Sequence, residues 1–134
     1  MIRFLTCLIL FSFLPAKSYA QVNLDKAKEL YASEEFEEAY EAYKKKLKEN
    51  PSNYLTVLGM ADSKHKLGQL EQAIDLYDRA EKLNENDAEL YHNRGIAYVF
   101  LEEFGKAIRD FNQSEKLRPD QAQLYYYRGY AQAA

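Results

Sequence analysis

Apolar residues recur along this chain in three- and four-residue steps, the spacing of one helix face. Between Asn53 and Leu67 they fall at Tyr54, Val57, Leu58, Ala61 and Leu67. Gly68-Gln69 interrupts the run, which resumes at Leu70, Ala73, Ile74, Tyr77, Ala80 and Leu83. A second pair of segments follows at Tyr91, Gly95, Tyr98 and Leu101, then Phe104, Ala107, Ile108, Phe111 and Leu117. An earlier pair reads Leu24, Ala27, Leu30 and Tyr31, then Phe36, Ala39, Tyr40, Tyr43 and Leu47. No stretch alternates apolar with polar long enough to argue a strand. The pattern predicts an all-α chain of helix–turn–helix units.

The units share one period. Ala27, Ala61, Gly95 and Gly129 stand 34 residues apart, as do Ala39, Ala73 and Ala107, and Tyr43, Tyr77 and Phe111. Such self-similarity predicts stacked units that bury a continuous core together, a scaffold that presents a surface. The small residues let two helices approach, so Gly95 and Ala107 are expected to face each other within a hairpin. The aromatic set is expected to fill the space between one hairpin and the next. Pro51 and Pro119 follow second helices, where a helix has already stopped. Glu34, Glu35, Glu37 and Glu38 crowd the start of one second helix, and Lys44, Lys45, Lys46 and Lys48 its end, matching the helix dipole, with Glu41–Lys45 as a four-residue pair.

The first twenty residues fall outside this periodicity. Arg3 precedes an apolar run from Phe4 to Leu14, Pro15 breaks it, and Ser18-Tyr19-Ala20 places small residues before a cut. Residues 1–20 therefore read as a cleavable secretory signal, with the mature chain starting at Gln21; an uncleaved anchor is the alternative. The full chain has 134 residues and formal net charge −3; without Arg3 and Lys17 it holds 16 basic against 21 acidic residues. That acidity argues against a nucleic-acid partner, which wants a concentrated basic face. Cys7 is the single cysteine and lies in the signal, so the mature chain is expected to have no disulfide, thiol nucleophile or thiolate metal site.

With the period and its small and aromatic positions in place, the chain resembles the tetratricopeptide repeat family. The best copy runs from Ala88 to Gln121, with Tyr91, Gly95, Tyr98, Ala107, Phe111, Ser114 and Pro119 at the family's positions. The preceding copy carries Val57, Ala61, Lys64, Ala73, Tyr77, Ala80 and Glu85, and the first Asn23, Ala27, Leu30, Ala39, Tyr43, Lys46 and Pro51. The expected organisation is repeat 1 over 21–53, repeat 2 over 54–87, repeat 3 over 88–121 and the first helix of an incomplete repeat 4 over 122–134. The resemblance implies a right-handed superhelical α-solenoid whose concave groove, lined by first helices, binds an extended peptide or a partner helix. Carried over position by position, that groove is Leu58, Asp62, His65 and Lys66, then His92, Asn93, Ile96, Val99 and Phe100, then Tyr126, Tyr127 and Tyr130. On this reading Asn93→Ala and Tyr126→Ala touch binding and spare stability. A family subset grips carboxylate tails with two Lys, two Asn and one Arg; only Asn93 matches, and Leu24, Lys28, Gly59 and Glu89 fill the other four places.

The expected function is a non-enzymatic protein-interaction scaffold of the cell envelope or exterior, periplasmic or extracellular, without cofactor, metal or membrane span after signal cleavage. His65 and His92 have no HExxH or cysteine companions, and the glycines form no phosphate loop. The alternative is an N-terminal regulatory or targeting module of a longer chain whose C-terminal part carries the activity. The last helix has no capping partner in the sequence, so the chain is expected to be a portion of a longer repeat protein, or to cover that helix with a partner or by self-association.

Overall fold

The computed structural model describes residues 26–134, so the signal reading of 1–20, Cys7 and the first-repeat positions Asn23 and Leu24 lie outside the described residues. Residues 26–32 form α1, followed by α2 (Phe36–Glu49), α3 (Tyr54–Lys66), α4 (Leu70–Leu83), α5 (Ala88–Phe100), α6 (Phe104–Leu117) and α7 (Ala122–Ala133). From α2 to α7 each helix packs on the next in the chain, and the odd-numbered helices touch one another from α3 to α5 and α5 to α7. The described residues contain helices and turns and no strand, and none of these helices is long and apolar enough to cross a membrane.

The turn inside each hairpin has one geometry. Gly68 adopts φ +73°, and Glu34 and Glu102, each 34 residues away, adopt +62° and +57°. Around Gly68 the backbone N–H of Gln69 donates to Lys64 O and that of Gly68 to His65 O, both at 2.9 Å. The same pair of bonds closes α1 at Glu35 and Glu34, and α5 at Glu103 and Glu102. This is the left-handed helix stop that favours glycine. Glu34 and Glu35 therefore precede α2 rather than opening it. Between hairpins, Asn53 Oδ1 accepts from Thr56 N–H at 3.0 Å and Asp87 Oδ1 from Glu89 N–H at 2.9 Å, capping α3 and α5.

The core is a file of aromatic rings between small residues. Ala61, Ala73, Tyr77 and Ala80 are fully buried with Val57, Leu58, Leu90 and Tyr91. Gly95 lies against Phe111 of its own hairpin: a Cβ there would come within 2.7 Å of Phe111 Cε1. The other face of Phe111 stacks on Tyr127 of α7, centroids 6.4 Å apart. Tyr43 reaches across in the same way and lies on Gly59 of the following hairpin, where a Cβ would meet Tyr43 Cε1 at 2.7 Å. Lys46, at a place where the later copies hold Ala80 and Ser114, buries its stem and carries its ammonium out to Glu49 Oε2 at 2.7 Å. Glu41 pairs with Lys44 at 3.0 Å, three residues on, instead of with Lys45.

Candidate functional site: the concave groove

The odd-numbered helices enclose a cavity of about 780 Å³ on the concave side. Asp62, His65 and Lys66 of α3, His92, Asn93, Ile96 and Phe100 of α5, and Tyr127 of α7 line it. These are eight of the groove residues expected from the sequence. Leu58 and Val99 are not among them: both are buried in the core, Leu58 with Tyr77 and Leu90, Val99 with Leu124 and Ala131. Tyr126 and Tyr130 are exposed outside the cavity wall, Tyr126 edge-on to Tyr127 and Tyr130 against Phe104. The cavity adds Tyr31, Glu89, Arg118, Gln121, Ala122 and Gln123, which the sequence reading did not assign to it. The stop after α6 delivers Arg118 and Gln121, so a search confined to first helices passes over them.

A hydrogen-bonded set ties three helices together at the groove floor. Tyr77 OH of α4 donates to Asp62 Oδ1 at 2.7 Å, and Asn93 Nδ2 of α5 donates to the same oxygen at 3.0 Å. His65 Nδ1 stands 3.3 Å from Tyr77 OH. Because the Tyr77 proton goes to Asp62, His65 is the donor in that contact. Asn93 is therefore part of the packing between repeats as well as of the groove wall, and Asn93→Ala costs stability.

Enclosure sets the charges. Burial, reinforced by Glu89 and Asp87, raises the Asp62 carboxyl to about 6 even though Tyr77 and Asn93 pull it down. Burial beside Lys66 lowers His65 to about 4, and burial beside Arg118 lowers His92. Both imidazoles are thus neutral at pH 7. His92 Nδ1 is buried and has no hydrogen-bond partner among the described residues. No group of three or more metal-ligating side chains occurs among the described residues. The walls supply aromatic and aliphatic surface beside amide and carboxylate groups, a combination suited to an extended chain.

Two family models match this sequence, the TPR repeat over residues 61–101 and the tetratricopeptide repeat over residues 88–121. The chain belongs to the tetratricopeptide repeat family. The first TPR domain of Spaghetti (RPAP3), solved bound to the HSP90 peptide SRMEEVD, superposes with TM-score 0.81 at 21% identity, covering 85% of this chain and 90% of that one. The MamA protein superposes with TM-score 0.78 at 26% identity, covering 87% of this chain and 64% of that one. BBSome complex member BBS4 of Bos taurus is 45% identical over 40 residues, which are 30% of this chain and 8% of that protein. The match thus spans about a tenth or less of the curated relative's length. The superpositions fix the architecture as the all-α, right-handed superhelical solenoid of tetratricopeptide hairpins. This repeat fold is that of a protein-interaction scaffold.

Proposed function

We propose that this tetratricopeptide repeat chain is an exported, non-enzymatic scaffold that holds an extended segment of a partner protein in its concave groove. The observation that carries the reading is the 780 Å³ cavity itself, which runs across three successive first helices and mixes apolar with hydrogen-bonding walls. The charge layout supports a protein partner over nucleic acid, since the chain is net acidic. The export reading is supported by Arg3, the apolar run Phe4–Leu14 and Ser18-Tyr19-Ala20, the layout of a cleavable signal, and an envelope or extracellular location is part of the same proposal.

Two measurements test this. Amino-terminal sequencing of the protein recovered outside the cytoplasm should begin at Gln21; an intact Met1 on the exported protein would overturn the cleaved signal. Capture from envelope extract should yield a partner that is lost with the groove variant Ile96→Gln/Phe100→Gln and kept with Arg109→Ala on the opposite face. A partner indifferent to the groove variant would move the interface elsewhere.

A further inference from the structure

We propose that Asp62 and Glu89 form an acidic subsite in the concave groove that takes a lysine or arginine side chain of the bound segment. The proposal rests on the groove reading above and names the chemistry of its ligand. Its basis is a pair of groove carboxylates that form no ion pair, although Lys66 and Arg118 line the same cavity. Asp62 Oδ1 accepts both hydrogen bonds of the floor, from Tyr77 and Asn93, while no described residue donates to Oδ2. No lysine or arginine among the described residues forms an ion pair with Asp62 or with Glu89, although both carboxylates line the cavity. Lys66 lies one turn along α3 from Asp62 and leaves it unpaired.

Every element packed around Asp62 leaves it without an ion pair, and Arg118, brought to the cavity by the stop after α6, pairs with neither carboxylate. On its own helix stand His65, held neutral, and Lys66; α4 contributes Tyr77, α2 Tyr43, and α1 Tyr31. From α5 and its cap come Glu89, Asp87 and the neutral His92. The Tyr31, Tyr54 and Tyr77 phenols, held by burial well above their ordinary range, stay neutral, and a phenol carries no positive charge to offset the carboxylates. An enclosed carboxylate without a cation is costly, and an incoming ammonium or guanidinium removes that cost while satisfying Oδ2. Tyr31 lines the same cavity and offers a ring to the aliphatic stem and the cation. This chemistry is opposite in sign to a carboxylate clamp, and the sequence lacks four of that clamp's five groups.

The test is a selection of random twelve-residue peptides on the full chain, repeated on Asp62→Asn/Glu89→Gln. Asparagine retains an oxygen for the Tyr77 and Asn93 donors, and circular dichroism checks that the variant is folded. Selected peptides should share a lysine or arginine at one aligned position. Replacing it by glutamine should weaken binding to the parent chain roughly tenfold or more and leave binding to the neutral variant unchanged. Affinity for the basic peptide should also fall as pH drops below about 6, where Asp62 takes up its proton. Peptides without a basic preference, or with the same preference on the neutral variant, would overturn the subsite. Peptides that bind Ile96→Gln/Phe100→Gln as well as the parent chain would overturn the groove reading instead, and a selection that yields no peptide counts against both.

Discussion

Glu102 occupies a backbone position where glycine is the better residue. Its φ of +57° repeats the +73° of Gly68 one period earlier, and its exposed side chain is not needed to hold the turn. A left-handed residue with a Cβ costs about 1–2 kcal/mol, partly offset by the freedom glycine adds to the unfolded chain. Glu102→Gly should therefore stabilise the fold by about 0.5–1 kcal/mol in denaturant melts; an unchanged or lower midpoint would contradict the turn assignment. Asp62 is a costly residue of another kind. Its carboxyl titrates near 6 in the folded chain against 3.8 for the unperturbed group. A raised folded value favours the fold fully below pH 4 and loses that contribution as pH rises through 6. One pKa unit is worth about 1.4 kcal/mol, so Asp62→Asn should stabilise the chain by about 1–3 kcal/mol at pH 7.5. The gain should vanish below pH 4. His65, with its lowered value, acts in the opposite sense, so the comparison is between variant and parent at each pH. A residue that destabilises the fold while facing a cavity is where binding chemistry is expected.

Elements in this array can exchange an ionic joint for an apolar one at the same place. Arg94 of α5 donates from Nε and Nη2 to both oxygens of Asp110 in α6, at 2.7 and 2.9 Å. Its Nη1 reaches Asp78 and Glu81 of α4 at 2.7 and 2.6 Å. One guanidinium thus joins three helices. Thirty-four residues earlier the corresponding residues are Met60, Leu47 and Leu76, packed together beside Tyr43. Arg94→Met alone should cost about 3–5 kcal/mol, because buried Asp110 loses its cation. The triple change Arg94→Met/Glu81→Leu/Asp110→Leu, which copies the preceding repeat, should recover most of that loss in thermal melts. A triple variant as unstable as the single one would mean that the joint depends on more than local packing. The same comparison shows what the sequence discloses. Small and aromatic positions give the helices and their order, because close approach admits few side chains. Side-chain direction at the groove edge is less legible. Leu58 and His92 share a register, as do His65 and Val99, yet the histidines line the cavity and the aliphatic residues turn into the core. Register places a Cα; its side chain's solvation decides which way it goes.

At the scale of the whole molecule, contacts among the described helices run within a repeat or between adjacent repeats, so local stability should vary along the stack. Among the described residues helix α7 packs on α5 and α6, through Leu124, Ala131, the stacked Tyr127 and the pairing of Arg128 with Glu115. Opening it breaks one interface, whereas opening α5 breaks contacts with α3, α4, α6 and α7. Native-state hydrogen exchange should therefore show α7 amides exchanging through a low-energy opening and α5 amides only near global unfolding. Equal protection of the two helices would contradict a neighbour-only array. The groove gives this gradient a functional reading. Its walls include residues of α3, α5 and α7, with Gln123 and Tyr127 contributed by α7. A segment lying along the groove bridges α7 to the centre, so a selected peptide should slow exchange in α7 more than in α4. A peptide that binds yet leaves α7 exchange unchanged would lie outside the three-helix groove.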